Sequence, residues 1–437
     1  MINSSQRFQE YLQIVAKPPY KKVARLEFLN PDNSVAFALS NSFKHGYNTR
    51  YDSRAFIQSG TLSVSLNNGQ RRKATVTLSN LDNAFDFAVN KLWFGQQVRL
   101  SMGVELSDGT DFLLPQGVFY LKEPQMTIKP NAQTATYNLV DKWAYLDGTL
   151  LGVLANSYEV SRRSNIFQAL QGILHIDKYT FDNNATDIAR QIDNVPPIFT
   201  TYYNNKIYQA KWSDGAITED ISYLLTPYQL IEAGGSNLGQ LALKLNEMLV
   251  GWIGYNSIGA LSLEPSQDDI SDNDKAVLWT FTTENSVLFG LNETVKNSEV
   301  YNDILVAGTS LTGQSVYGRA TNRDPRSDTN ANLIGLRTLR ENGANYWNAE
   351  QCIALAQWRL KRKTVLQKSI SIQCSQLFHL FENGVVAVKR TDKSGSPIEK
   401  HLINSFSIPL AETGAMTINA TSIQDFPNLN VEPIIDK

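Results

Sequence analysis

Four short alternating runs lie between Lys368 and Gln424: KSISIQC (368–374), LFENGVVAVKR (380–390), HLINSFSIPL (401–410) and GAMTINATSIQ (414–424). In each, neighbouring side chains point to opposite faces, as in Ser369, Ile370, Ser371, Ile372 or Thr417, Ile418, Asn419, Ala420. That is the signature of a half-buried antiparallel strand. Between them stand Glu382-Asn383-Gly384, Asp392 to Pro397 and Glu412-Thr413-Gly414, where Gly and Asn accept positive φ and Pro presets its own. The stretch predicts a meander of hairpins with the Val385–Val388 strand inside.

The same order of signals occurs earlier, between Lys73 and Lys142: KATVTLSN (73–80), LWFGQQVRLSMGVEL (92–106), GVFYLKEPQMTI (117–128) and TATYNLVDK (134–142). Phe94 to Leu100 stands where Glu382 to Val388 stands later. The correspondence is of pattern and not of identity. Two versions of one small β unit, far apart in the chain, suggest that the duplication serves assembly.

At 437 residues with 42% hydrophobic content, the chain is long enough for about three cores. Forty basic residues against 42 acidic ones leave no global field to attract nucleic acid. The two cysteines, Cys352 and Cys374, lack metal-ligand spacing, which fits a reducing compartment or indifference to redox. The start, MINSSQRFQEYLQ, lacks the layout of a signal peptide, and no run reaches membrane-span length, so synthesis in the cytoplasm without membrane insertion is expected.

Residues 1–19 read as an N-terminal helical arm, with Phe8, Leu12 and Val15 at helical spacing behind Ser4 and Ser5 and before Pro18-Pro19. It can dock on its own domain or on a neighbouring subunit. Residues 20–149 read as a first β domain, a sandwich or small barrel of six to eight strands, with Leu81–Trp93 as a short helix or crossover. Residues 150–296 form an α+β insert. It has one amphipathic helix in SRRSNIFQALQGILH (161–175), capped by Ser161 or Ser164, and a second at 237–250. The hairpin GWIGYNSIGALSLEP follows at 251–265. Residues 297–425 form a second β domain, opened by SEVYNDILVAG (298–308). A long polar loop is expected from Thr309 to Tyr346. Next comes the helix 348–363, with Asn348 as cap, Gln351 at the capping-box position and Cys352, Ile353, Ala356 and Leu360 as its apolar stripe. Residues 426–437 are a polar C-terminal tail. The class is a mixed, β-dominated α+β fold.

Catalytic chemistry leaves little trace. The four histidines, His45, His175, His379 and His401, share no ligand spacing, and a Cys374–His401 dyad comes into question only because both residues lie in the same meander. The acidic cluster Asp268 to Asp274 lacks the Gly and the distal Glu of a calcium loop. No phosphate loop, metal site or cofactor site is expected. The candidate contact residues are the aromatic run Tyr202, Tyr203, Tyr208 and Trp212, and the arginines of the long loop, Arg319, Arg323, Arg326, Arg337 and Arg340.

The order of these parts resembles the tail-hub, or baseplate-hub, proteins of long-tailed bacteriophages and related contractile injection particles. It is carried by LWFGQQVRLSMGVEL, GVFYLKEPQMTI, an insert ending in GALSLEP, EVYNDILVAG, the helix NAEQCIALAQWRLKRK, and SISIQC with FENGVVAVKR. The resemblance spans about residues 20–425 and implies two tail-tube-like β domains in one chain. A homotrimer then presents six similar domains and matches a sixfold tail tube to a threefold tip or spike. It implies a structural virion protein and not an enzyme, assembled in the host cytoplasm and located in the tail. The implied partners are a tail-tube or distal tail protein, a tip or spike protein and the tape-measure protein, with DNA only in passage. A fused wall-degrading domain is not expected after Gln424. Two other classes stay open: a carbohydrate- or receptor-binding tail protein using the Tyr202–Trp212 aromatics, and a cell-wall hydrolase with unrecognised carboxylates.

Overall fold

The computed structural model describes residues 6–30, 33–41, 56–80, 96–130, 132–174, 195–203, 206–210, 224–226, 229–249, 251–267, 270, 275–282, 286–296, 300–310, 312–342, 349–364, 367–390, 398–411 and 413–423. The expectations for Ser4, Ser5, Leu81–Trp93, His45, His175, Trp212, Asn348 and the tail 426–437 lie outside them. So do the side chain of Gln351 and all of the acidic cluster but Ile270.

The chain forms two compact units, one made of Met1–Leu291, Ser371–Ile398 and Leu402–Asn419, the other of Asn292–Ile370, Glu399–His401 and Ala420–Lys437.

The first unit is built on a long antiparallel sheet with strands in the order Ile398–Pro409, Ile57–Ser65, Arg72–Ser79, Ala132–Asp141, Asp111–Lys129, Gln97–Glu105, Lys22–Leu29 and Val35–Ser40. Alternation in the sequence becomes alternation in burial: Ala74, Val76 and Leu78 point inward from one strand, and Val98, Leu100, Met102 and Val104 from another. Burying such a Val or Leu side chain contributes roughly 1.5–3 kcal/mol each. The pairing of Ser405–Pro409 with Ser65–Thr61 joins the late β unit to the early one edge to edge. The two β units therefore share one sheet.

The final strands do not follow a simple meander. Gln367–Cys374 neighbours Met416–Ser422 and not the next strand, Val385–Lys389. That next strand lies between Ile398–Pro409 and a parallel partner, Val277–Thr282, contributed by the middle of the chain. Neighbours on both edges and cover on both faces explain why Val385 to Val388 form an unbroken buried run.

The N-terminal helix Gln6–Val15 docks on its own chain. Phe8, Tyr11 and Val15 are its buried residues, so Tyr11 takes the inward place expected of Leu12, which is half-buried. The Phe8 and Tyr11 rings lie 6.2 and 5.3 Å from Phe112, and Glu10 accepts the Ser107 backbone N–H at 2.9 Å.

The middle of the chain forms a four-stranded sheet in the order Lys206–Gln209, Ile198–Tyr203, Leu261–Glu264, Trp252–Tyr255, together with the helices Ile166–Leu174 and Leu238–Glu247. Asn165, and neither Ser161 nor Ser164, caps the first helix: its Oδ1 accepts the N–H groups of Phe167 and Gln168 at 2.9 and 3.2 Å. Only the residue immediately before the first turn can reach those donors.

In the second unit the expected long loop contains two strands and a helical turn. Ser315–Thr321 and Thr338–Asn342 flank Asp303–Thr309 as a three-stranded sheet, with a helical turn at Ala331–Ile334. The helix Ala349–Lys363 covers one face, setting Cys352, Leu355, Ala356 and Leu360 against Ile304, Val306 and Ala320. Gly318 hid the strand, because a glycine between polar residues reads as a break. Here it permits close approach: a Cβ at Gly318 would stand 2.2 Å from the Cys352 backbone.

Candidate functional site

Three sequence-distant pieces of the first unit meet at the start of the strand Arg72–Ser79. Asp141 organises the meeting: its Oδ2 accepts the backbone N–H of both Arg71 and Arg72 at 2.8 Å, and its Oδ1 that of Trp143 at 3.1 Å. Burial pushes this carboxyl up to about 6, against the pull of those three bonds and of the Arg72 charge. The two arginine side chains each hydrogen-bond a different carboxylate, with Arg71 Nη1 also 3.9 Å from Glu382 Oε1. Arg71 Nη1 donates to Glu264 Oε1 at 2.7 Å, and Gly254 lets it pass, since a Cβ there would lie 2.5 Å from Arg71 Nε. Arg72 donates through Nη1 to the Gln116 carbonyl at 2.8 Å and through Nη2 to Glu382 Oε2.

The Arg72 and Glu382 side chains are only 2% and 3% exposed. The next residue, Asn383, takes a left-handed φ of 61° and binds the middle of the chain from both ends of its amide. Its Nδ2 donates to the Pro265 carbonyl at 2.9 Å, and its Oδ1 accepts the Gln267 N–H at 3.0 Å. Gln116 Nε2 donates to the Phe378 carbonyl at 2.8 Å, and Lys142 Nζ to the Gly259 carbonyl at 3.0 Å. Each guanidinium faces a carboxylate. The arrangement fastens three chain segments together and holds no unpaired acid or base ready for proton transfer. The sequence reading missed it, taking Glu382-Asn383 only as turn residues and passing over Arg71-Arg72.

A second cluster secures the N-terminal helix. His379 Nε2 lies 3.3 Å from the Leu278 carbonyl, which can only accept, so Nε2 carries the proton and Nδ1 accepts the Tyr11 hydroxyl at 3.0 Å. The Tyr11 oxygen in turn accepts the Phe378 N–H at 2.9 Å. Burial pushes His379 from its ordinary 6.5 down to about 4, with the Leu278 bond opposing. The folded pKa is below the unfolded one, so this histidine adds no pH dependence above pH 6.5. Between 6.5 and 4 the unfolded chain takes the proton first and stability falls. Over that interval the wild type is expected to lose about 3 kcal/mol more than His379→Gln. Chemical denaturation at a series of pH values measures the difference, and equal slopes for the two proteins would count against the buried neutral histidine.

Cys374 and His401 are both buried, the thiol pushed up to about 12 and the imidazole down to about 4 by burial. Both shifts move away from a thiolate–imidazolium pair. Among the described residues no group of three or more His, Cys, Asp or Glu could hold a metal, and no helix is long and apolar enough to cross a membrane.

The expected contact residues are distributed as follows. Tyr202 pairs with Ile207, while Tyr208 pairs with Thr201, so the two tyrosines project from opposite faces of one hairpin and do not share a stacking surface. Tyr203 lies in the same strand. Arg319 is bidentate on Asp303, at 2.8 and 2.9 Å, and Arg326 on Asp324, at 3.0 and 2.7 Å. The Arg337 N–H donates to Asn302 Oδ1 at 2.7 Å, and Arg323, Arg337 and Arg340 are exposed. Arg319 and Arg340 both stand opposite Leu305, so the sheet brings these two onto one face.

No family model matches the sequence, and no curated protein does. Among solved structures, the fold matches the 43 kDa tail protein of prophage MuSo2 from Shewanella oneidensis, with a TM-score of 0.56 and 11% identity over 92% of this chain and 98% of that one. It also matches a tail protein from Neisseria meningitidis MC58, with a TM-score of 0.57 and 7% identity over 93% and 97% of the two chains. Built on a shared β sheet with an α+β middle segment, this chain has the fold of phage tail proteins.

Proposed function

We propose that this chain is a structural hub of a phage tail or baseplate. It assembles as a homotrimer whose six similar β modules form a pseudo-sixfold ring. The ring joins the tail tube on one side to a tip or spike protein on the other and lines the channel for the tape-measure protein and then for DNA. In this reading 20–149 and 297–425 are the paired modules and 150–296 is the insert between them. The protein acts without catalysis and resides in the virion tail after assembly in the host cytoplasm.

The observation that carries the reading is the likeness of nearly the whole chain to two tail proteins over nearly their whole length. The pairing of Ser405–Pro409 with Ser65–Thr61 supports it further, since it joins strands of the early and late β units in one sheet. Native mass spectrometry of the purified protein is expected to show a trimer. A stable monomer, or a sixfold ring with one tube-like module per chain, overturns the proposal.

A further inference from the structure

The three-stranded sheet of the second unit has one face under the helix Ala349–Lys363, and among the described residues its two outer strands, Ser315–Thr321 and Thr338–Asn342, each pair only with the central one. Thr338–Asn342 pairs with Asp303–Thr309 and, among the described residues, with no other strand. Alternate N–H and C=O groups of such a strand point outward as a template for another chain.

The side chains of this strand divide by face. Leu339 packs on the helix-covered cluster and Glu341 accepts Arg359 Nε at 3.2 Å, so that side is occupied. On the other side Thr338 donates to Asp303 Oδ2 at 2.6 Å, and Arg340 donates only to Asn342 Oδ1, at 3.1 Å. Across the sheet, Asp303 neutralises Arg319. No carboxylate among the described residues pairs with Arg340. Immediately before the strand, Leu333, Ile334 and Leu336 are 71%, 43% and 58% exposed, an apolar shelf leading to the edge.

A second copy of this chain fits the edge poorly. In a two-fold antiparallel pairing with both helices on the same side, directly opposed residues share a face, so within this strand Arg340 meets Thr338, Arg340 or Asn342 of the other copy, none of them acidic. Like charges directly opposed destabilise a sheet. An acidic side chain at that position gains a cross-strand ion pair instead. We propose that Thr338–Asn342 is an acceptor edge for an extended segment of another protein. That segment places an acidic residue opposite Arg340 and apolar residues toward Leu336 and Leu339. The inference rests on the second unit alone and is independent of the assembly proposed above.

Fluorescence anisotropy on the full chain tests it, with a short peptide alternating valine and glutamate as probe and its valine–lysine counterpart as control. The glutamate peptide is expected to bind and the lysine peptide to bind at least several-fold more weakly. Arg340→Glu should weaken the glutamate peptide by about tenfold and strengthen the lysine peptide, because the exchange replaces an ion pair by a repulsion. Arg340 is exposed, so an unchanged circular dichroism spectrum and melting temperature should accompany the switch. Equal binding of the two peptides, or indifference to Arg340→Glu, overturns the proposal and leaves the arginine as a guard against edge pairing.

Discussion

Val386→Asp is expected to lower the stability of the first unit by about 4 kcal/mol, read as a shift in the denaturant midpoint. Val386 is fully buried, within a run whose four residues, Val385 to Val388, are at most 2% exposed. Its strand has Val277–Thr282 on one edge, with Val386 opposite Trp279, and Ile398–Pro409 on the other. A carboxylate there is cut off from water. It must take up a proton at neutral pH or open the structure around it, and either route costs several kcal/mol. Val386→Ala is the control for lost volume: removal of two methyl groups should cost about 1–2.5 kcal/mol. If the aspartate variant unfolds at the wild-type midpoint, the side chain faces solvent and the strand register is off by one.

Glu382→Ala should be of similar severity, about 3–5 kcal/mol, because it strands the Arg72 guanidinium in a site only 2% exposed. The cost arises from the charge left behind and is much larger than the net worth of the pair. Replacing both partners, Arg72→Met with Glu382→Leu, removes both desolvation penalties and should recover most of the loss. Chemical denaturation of Arg72→Met, Glu382→Leu and the double variant completes the cycle. A single-variant loss below about 1 kcal/mol would mean that water reaches the pair in solution.

The alternating runs of the chain were legible because a strand with one buried face writes its period of two into the sequence, whatever it pairs with. So Lys73–Asn80 and Lys368–Cys374 could be read as strands without knowledge of their neighbours. Partnership has no such local record. Gln367–Cys374 reads as the first strand of a meander, yet it lies beside the last. Ser315–Thr321 reads as loop, since Gly318, needed for contact with a helix more than thirty residues on, looks locally like a break. The arginines show the same limit. Arg319 and Arg340 are alike in the sequence, but only in the fold does Asp303 neutralise the first and leave the second to the solvent side.

By itself the sequence determined the β-dominated class, most strand positions, the two helices of the middle segment, the helix Ala349–Lys363 and the order of motifs that points to the tail-protein fold. Tertiary structure alone decided that the early and late β units share a sheet, that the N-terminal helix docks on its own chain, and that Arg72 meets Glu382 across 310 residues of sequence. The physical reason is one of range. Hydrophobic periodicity is a property of a few consecutive residues, whereas pairing, desolvation and the worth of a charge depend on atoms that only folding brings near. In the Lys368–Gln424 stretch both kinds of information coincide: its alternation is written locally, and its place in the wall of the sheet is set by strands from the other end of the chain.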